Sequence, residues 1–302
     1  MIAIFEQVLI LLIFCCVGYL LSKTKMVNPE HSKTLSVLLV YVFAPCLSFR
    51  TFMTQFNVAY LRDNGFLVLV SLGLLPVIIL VANLLVRFLG KDRDERAVNE
   101  YSMTFGNIGY MGYPLAGAVY GEAVMMNCMM FALPMTIYIN TVSFNILTAG
   151  KEKKPLWKRI FTPGFIGILL GCVVGILQIP LPEVVSDITK MSGNCMAPTS
   201  MLLTGMAISQ FSMKELLLNK KAYLVCAVRL VLAPLLAFGL LKLAGLEFAI
   251  TAAVILYAMP CGMNTIVFPK LVGKDCRLGA STVMISTVLS MLTIPLLLNF
   301  LL

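Results

Sequence analysis

Apolar stretches of about 20 residues, each long enough to cross a bilayer as a helix, follow one another along almost the whole chain. They can be placed at Ile2–Leu21, Leu35–Met53, Phe66–Leu89, Val98–Val119 and Ala123–Thr148, then at Ile160–Ile179, Met191–Phe211, Ala222–Leu243, Phe248–Leu271 and Gly279–Leu301. The 302 residues are 60% hydrophobic and 12% charged, about half the charged share of a soluble domain. Their mean hydropathy is +0.94. The chain therefore reads as an all-α integral membrane protein of ten transmembrane helices with no soluble domain.

The prolines inside these stretches recur. Pro45, Pro76, Pro114 and Pro134 match Pro198, Pro234, Pro269 and Pro295, at offsets of 153, 158, 155 and 161 residues. Each half of the chain, 1–150 and 151–302, holds five spans. An odd number of spans reverses the direction of entry, so the second half is expected upside down relative to the first. Inverted repeats with interrupted helices are a mark of secondary transporters.

The net charge of +9 raises nucleic acid as a partner, but its placement argues against this. Of the 23 Lys and Arg residues, 18 fall in the odd-numbered connections, 4 in the even-numbered ones, and Arg229 lies within the eighth span. Positive residues collect on the cytoplasmic side. The blocks Lys91–Arg96 and Lys151–Arg159 are thus topology determinants, and both termini are expected outside the cytoplasm of a multi-pass cell-membrane protein. The N-terminus has no basic leader, carries Glu6 and lacks a small-x-small site before Ser22, so it reads as a retained first span.

The fourth span contains Gly106-Asn107-Ile108-Gly109-Tyr110-Met111-Gly112-Tyr113-Pro114. Three glycines and a proline in nine residues do not sustain a regular helix. The ninth span repeats the effect with Pro260-Cys261-Gly262-Met263-Asn264, then Phe268-Pro269. Broken backbone at membrane depth survives only inside protein or beside a water-filled cavity. Packing glycines and ordinary proline kinks explain one such span; two in repeat register, each with an Asn amide, point to a binding site at the midplane.

On these residues the chain resembles the auxin efflux carrier family, which comprises the plant PIN-formed auxin carriers and their bacterial relatives. Asn107-x-Gly109-x-x-Gly112-x-Pro114 is similar to the family's crossover motif, and Pro260-x-Gly262 sits where the second crossover lies. Ala227-Val228-Arg229-Leu230 with Pro234, Pro45-Cys46-Leu47-Ser48-Phe49 and Leu292-Thr293-Ile294-Pro295 also match in kind. Two departures stand out: Cys261 where plant carriers have Gln, and a short fifth connection where some plant members carry a long regulatory loop. The resemblance implies two inverted five-helix repeats with broken, crossing helices 4 and 9. Helices 1, 2, 6 and 7 would form a scaffold, usually a homodimer, and helices 3–5 and 8–10 an elevator-like transport domain. It also implies a small carboxylate substrate, such as indole-3-acetate, malate or malonate, at the crossing.

Charge inside the spans agrees with an anion. The 14 acidic residues fall in connections or at span ends, apart from Glu6 near the outer end of the first. Without a deep carboxylate, a cationic cargo and an Asp/Glu proton relay are disfavoured. Arg229 leaves two readings open: a partner for a substrate carboxylate, or a side chain that snorkels or bonds a carbonyl freed by a broken helix. The candidate substrate-binding set is Asn107, Gly109, Gly112, Pro114, Pro260, Gly262, Asn264 and Arg229. No catalytic residue, metal or cofactor is expected. Nine cysteines and 19 methionines show no ligand spacing, His31 is the single histidine, and Gly167-xxx-Gly171-xxx-Gly175 reads as scaffold packing or a dimer contact. A channel would show a polar stripe or charged ring and a hydrolase a catalytic His or paired acids; neither is present. The remaining alternative is export of an amino acid or other neutral metabolite, with sodium or proton coupling.

Overall fold

The structure, a computed structural model, describes residues 2–28, 31–90, 92–152 and 154–302. Glu30, Lys91 and Lys153, read above as connection charges, lie outside the described residues, as does the side chain of His31. The described residues are helical, with no strand beyond one antiparallel bridge between Gly106 and Cys261. Six helices are long and apolar enough to cross a membrane: α1 Ile2–Lys23, α2 Ser32–Gln55, α3 Val58–Leu89, α6 Glu122–Leu147, α10 Lys220–Leu243 and α13 Arg277–Leu301. Between them lie the shorter α4 Arg93–Thr104, α5 Tyr113–Tyr120, α7 Pro163–Leu177, α8 Glu183–Asn194, α9 Met196–Ile208, α11 Glu247–Ala258 and α12 Asn264–Leu271.

Local chemistry sets several starts. Asp92 accepts a 2.8 Å bond from the Glu95 amide at the head of α4, with Asp94 and Glu95 in its first turn. This is an N-cap reinforced by acid at the positive helix end. Thr162 caps α7 in the same way at 3.3 Å, with Pro163 in the first helical position, where its missing N–H costs nothing.

Proline also shapes the interiors. Wide π-turns at Leu39–Phe43, Ile108–Gly112 and Val228–Leu232 each end two residues before a proline, at Pro45, Pro114 and Pro234. A proline ring clashes with the carbonyl four residues back and cannot bond to it, so the ladder widens locally. For Pro114 that carbonyl belongs to Tyr110, and it accepts a 2.9 Å bond from Ser200 Oγ.

Four packings occur in pairs. α1 lies along α9 as α7 lies along α2; α3 meets α6 as α10 meets α13; α3 meets α4 as α10 meets α11; and α13 meets α4 as α6 meets α11. The two closest pairings depend on glycine. A Cβ at Gly167 would reach Pro45 O at 2.5 Å and one at Gly171 would reach Phe49 O at 2.6 Å, while one at Gly175 would strike the backbone at Phe56. The glycine stripe of α7 is thus consumed by α2 of the same chain, which settles its reading as packing within the chain and removes it as a dimer contact. Gly18 and Gly205 serve the α1–α9 contact likewise, facing the backbones of Leu202 and Cys15.

Candidate functional site

The two interruptions touch. The Asn107 amide donates to Pro260 O at 2.7 Å and the Gly262 amide to Phe105 O at 3.2 Å, around the Gly106–Cys261 bridge. Extended backbone at Phe105 and Met259 ends α4 and α11. Pro260, lacking an N–H, can offer only its carbonyl. A Cβ built on Gly262 would lie 3.1 Å from Gly106 O and 3.2 Å from the Tyr101 ring, so a larger residue would fit only if the crossing gave by a few tenths of an ångström.

Several of the backbone groups released by these breaks find side-chain partners, as burial requires. Cys261 N donates to Ser286 Oγ at 2.9 Å, and Thr265 Oγ1 donates to Gly262 O at 3.0 Å. Arg229, only 1% exposed, takes the ends of both first half-helices. Its Nε donates to Met259 O at 2.9 Å, Nη1 to Thr104 O at 2.8 Å and Nη2 to Leu256 O at 2.7 Å. Of the two readings left open above, the structure realises the bond to broken-helix carbonyls; the head does not snorkel to an interface. Gly106 exists for this guanidinium, since a Cβ there would collide with it.

The electrostatic consequence follows from helix dipoles. The C-terminal ends of α4 and α11 each carry roughly −0.5 charge, and one buried guanidinium offsets both. The opposite, positive ends of the half-helices that follow, entering at Ile108 and at Asn264, have no acid beside them in sequence. Asn107 is 5% exposed and its carboxamide makes no hydrogen bond among the described residues, while its carbonyl accepts from Met111 N and Gly112 N, both at 3.1 Å. Open space adjoins Gly109, where an added Cβ would meet nothing within 4 Å. Asn264, by contrast, is engaged: Nδ2 donates to Tyr101 Oη at 2.9 Å. Gly112 packs against Leu256 of α11 and against Met259 just beyond its end.

Thus Asn107, Gly112, Pro260, Gly262, Asn264 and Arg229 are brought together, with Gly109 at their open edge. Pro114 lies farther along and lines a separate cavity of about 340 Å³ between α1, α2, α8 and α9 on one side and α5 and the start of α6 on the other. Its polar lining includes Gln7, Arg50, Glu122, Lys190 and Asn194. Reasoning from sequence missed Tyr101, Ser286 and Ser200 at the crossing and the Arg50, Glu122 and Lys190 group in the cavity. Arg50 alone left a signal, as a cation three residues inside the end of the stretch Leu35–Met53.

One expectation needs correction. Glu100 is not at a span end: α4 begins at Arg93, so Glu100 sits in its middle, 9% exposed and without an ion pair among the described residues. The apolar window that set the span at Val98 excluded the charged first turn of the helix.

A family profile described as Membrane transport protein matches residues 3–155 and 151–298. The chain is 24% identical to an uncharacterized transporter of Methanothermobacter thermautotrophicus over 96% of both chains. It is 26% identical to an uncharacterized transporter of Methanocaldococcus jannaschii, again over 96% of both. A protein of Rhizobium meliloti named "Putative malonate transporter" is 26% identical over 92% of this chain and 89% of its own.

Proposed function

Because the chain belongs to the membrane transport protein family, that of the auxin efflux carriers, we propose that it is a secondary carrier for a small organic anion. It is a multi-pass membrane transporter and not an enzyme. In our reading the substrate carboxylate is held at the crossing by the Asn107 carboxamide and by the free amides that open the half-helix after it. One observation carries this: Arg229 offsets both negative helix ends, leaving positive ends and an Asn107 amide with no hydrogen-bond partner among the described residues, next to the open space at Gly109. A carboxylate is the ligand that such donors favour.

The paired packings of α1–α9 with α7–α2 and of α3–α6 with α10–α13 support two inverted five-helix repeats, 1–150 and 151–302, in a ten-span chain. In this reading α1, α2, α7, α8 and α9 form a dimerising scaffold, against which the remaining helices slide as an elevator. The charge bias supports both termini outside the cell membrane, with the Lys151–Arg159 connection in the cytoplasm.

Uptake of labelled malonate, malate and indole-3-acetate into proteoliposomes tests the class. Asn107→Ala should remove one or two charge-assisted bonds, each worth roughly 1.5–3 kcal/mol, and lower affinity about tenfold or more with folding preserved. A stable Asn107→Ala protein that transports normally would place the substrate elsewhere. Uptake of a neutral amino acid in place of all three anions would refute the anion reading.

A further inference from the structure

We propose that the cavity beyond Pro114 is a second anion site, in which a dicarboxylate from solution displaces Glu122 from Arg50 and thereby unlatches the two sets of helices. The inference rests on the carrier reading for its consequence, but its chemistry stands on the cavity alone. Arg50 comes from α2 and Glu122 opens α6, so this is the one ion pair among the described residues that joins the proposed scaffold to the proposed moving part.

The pair is built to exchange. Arg50 divides its fork, giving Nη2 to Glu122 Oε1 at 3.1 Å and Nη1 to Ser186 Oγ at 3.2 Å. Glu122 therefore holds a single guanidinium nitrogen in place of the bidentate grip that makes Arg–carboxylate pairs strong. Its other oxygen receives only Gln55 Nε2 at 3.5 Å. The Arg50 side chain is 17% exposed and that of Glu122 43%, so the cation is fixed in the wall while the acid can swing to water. Ion pairs this exposed contribute little, so a dissolved carboxylate has only the effective concentration of the tethered Glu122 to overcome.

Charge selects the competitor. Arg50 and Lys190 line the cavity against Glu122 alone, and Lys190 has no ion-pair partner among the described residues. With Glu122 swung out, two cations remain, which a dianion neutralises and a monocarboxylate does not. The volume of about 340 Å³ is at the small end of ligand sites, enough for a short dicarboxylate.

Calorimetric titration of the purified full-length protein with malonate and with acetate tests this, in an Asn107→Ala background so that binding at the crossing is weakened. Glu122→Gln should tighten malonate about fivefold or more by removing the internal competitor. Arg50→Gln should weaken it at least tenfold, and Lys190→Gln should erase the preference for malonate over acetate. If Arg50→Gln does not fold, Glu122→Gln decides alone. Unchanged or weaker malonate binding in a well-folded Glu122→Gln protein would make the pair a fixed structural bond and overturn the proposal. Failure of the carrier reading has a different signature: the titrations shift as expected while malonate counterflow in proteoliposomes is absent from the wild type.

Discussion

Arg229 shows how a single residue can serve a ligand it does not touch. Its three carbonyl partners belong to three residues on two different half-helices, and its guanidinium also lies 5.6 Å from the Tyr257 ring centroid. Replacing it by Gln would strand at least two buried carbonyls at about 1–3 kcal/mol each and leave both helix ends uncompensated. Arg229→Gln should therefore melt several degrees lower in detergent, followed by fluorescence-detected gel filtration. Arg229→Lys should rescue little, because an ammonium lacks the planar fork. An Arg229→Gln protein with wild-type melting and no substrate binding would contradict the structural role and make Arg229 a direct ligand.

Among the helices, glycine decides how closely two can approach. Gly171 lets α7 settle onto α2, with Phe49 O and Phe52 Cβ within 2.7 Å of any added Cβ. Backbone cannot yield as a side-chain tip can, so Gly171→Val should cost more than the usual 1–3 kcal/mol of overpacking and abolish folded protein in gel filtration. Gly239→Val, where a Cβ meets nothing within 4 Å, is the control expected to fold. Much at this scale was legible beforehand. The interruptions at Gly106–Pro114 and Pro260–Asn264 follow from residues that cannot continue a helix, and their adjacency followed from repeat register. Helix starts were less legible. α8 begins at Glu183, eight residues before the apolar run at Met191, because Glu183, Ser186, Asp187 and Lys190 lower its hydropathy without impairing helix formation. The cavity beyond Pro114 was barely legible: Arg50 and Glu122 are 72 residues apart in sequence and meet only through packing of α2 against α6, which no local pattern encodes.

For the whole molecule, the question is what drives net movement. Apart from Glu6 in α1 and the correction at Glu100, the described acids lie near connections, and the crossing has no carboxylate among the described residues to carry a proton. Glu100 is about seven residues before Asn107, or ~10 Å along a helical rise, and α4 carries it on the cytoplasmic side of the crossing in the proposed orientation. If it does not exchange protons with the substrate path, transport of an anion moves net negative charge, worth about 2.3 kcal/mol per charge per 100 mV, and an inside-negative potential drives export without a coupled ion. Solid-supported-membrane recordings should then show a malonate-induced current of the anion's sign, unchanged when sodium and the proton gradient are removed. Glu100→Gln should leave that current intact, since the residue bears no substrate contact in this reading. Electroneutral uptake that requires a proton gradient, and that Glu100→Gln abolishes, would refute uniport and assign the proton to this buried carboxylate. The same result with Glu100→Gln unaffected would also refute it and place the proton on the substrate itself.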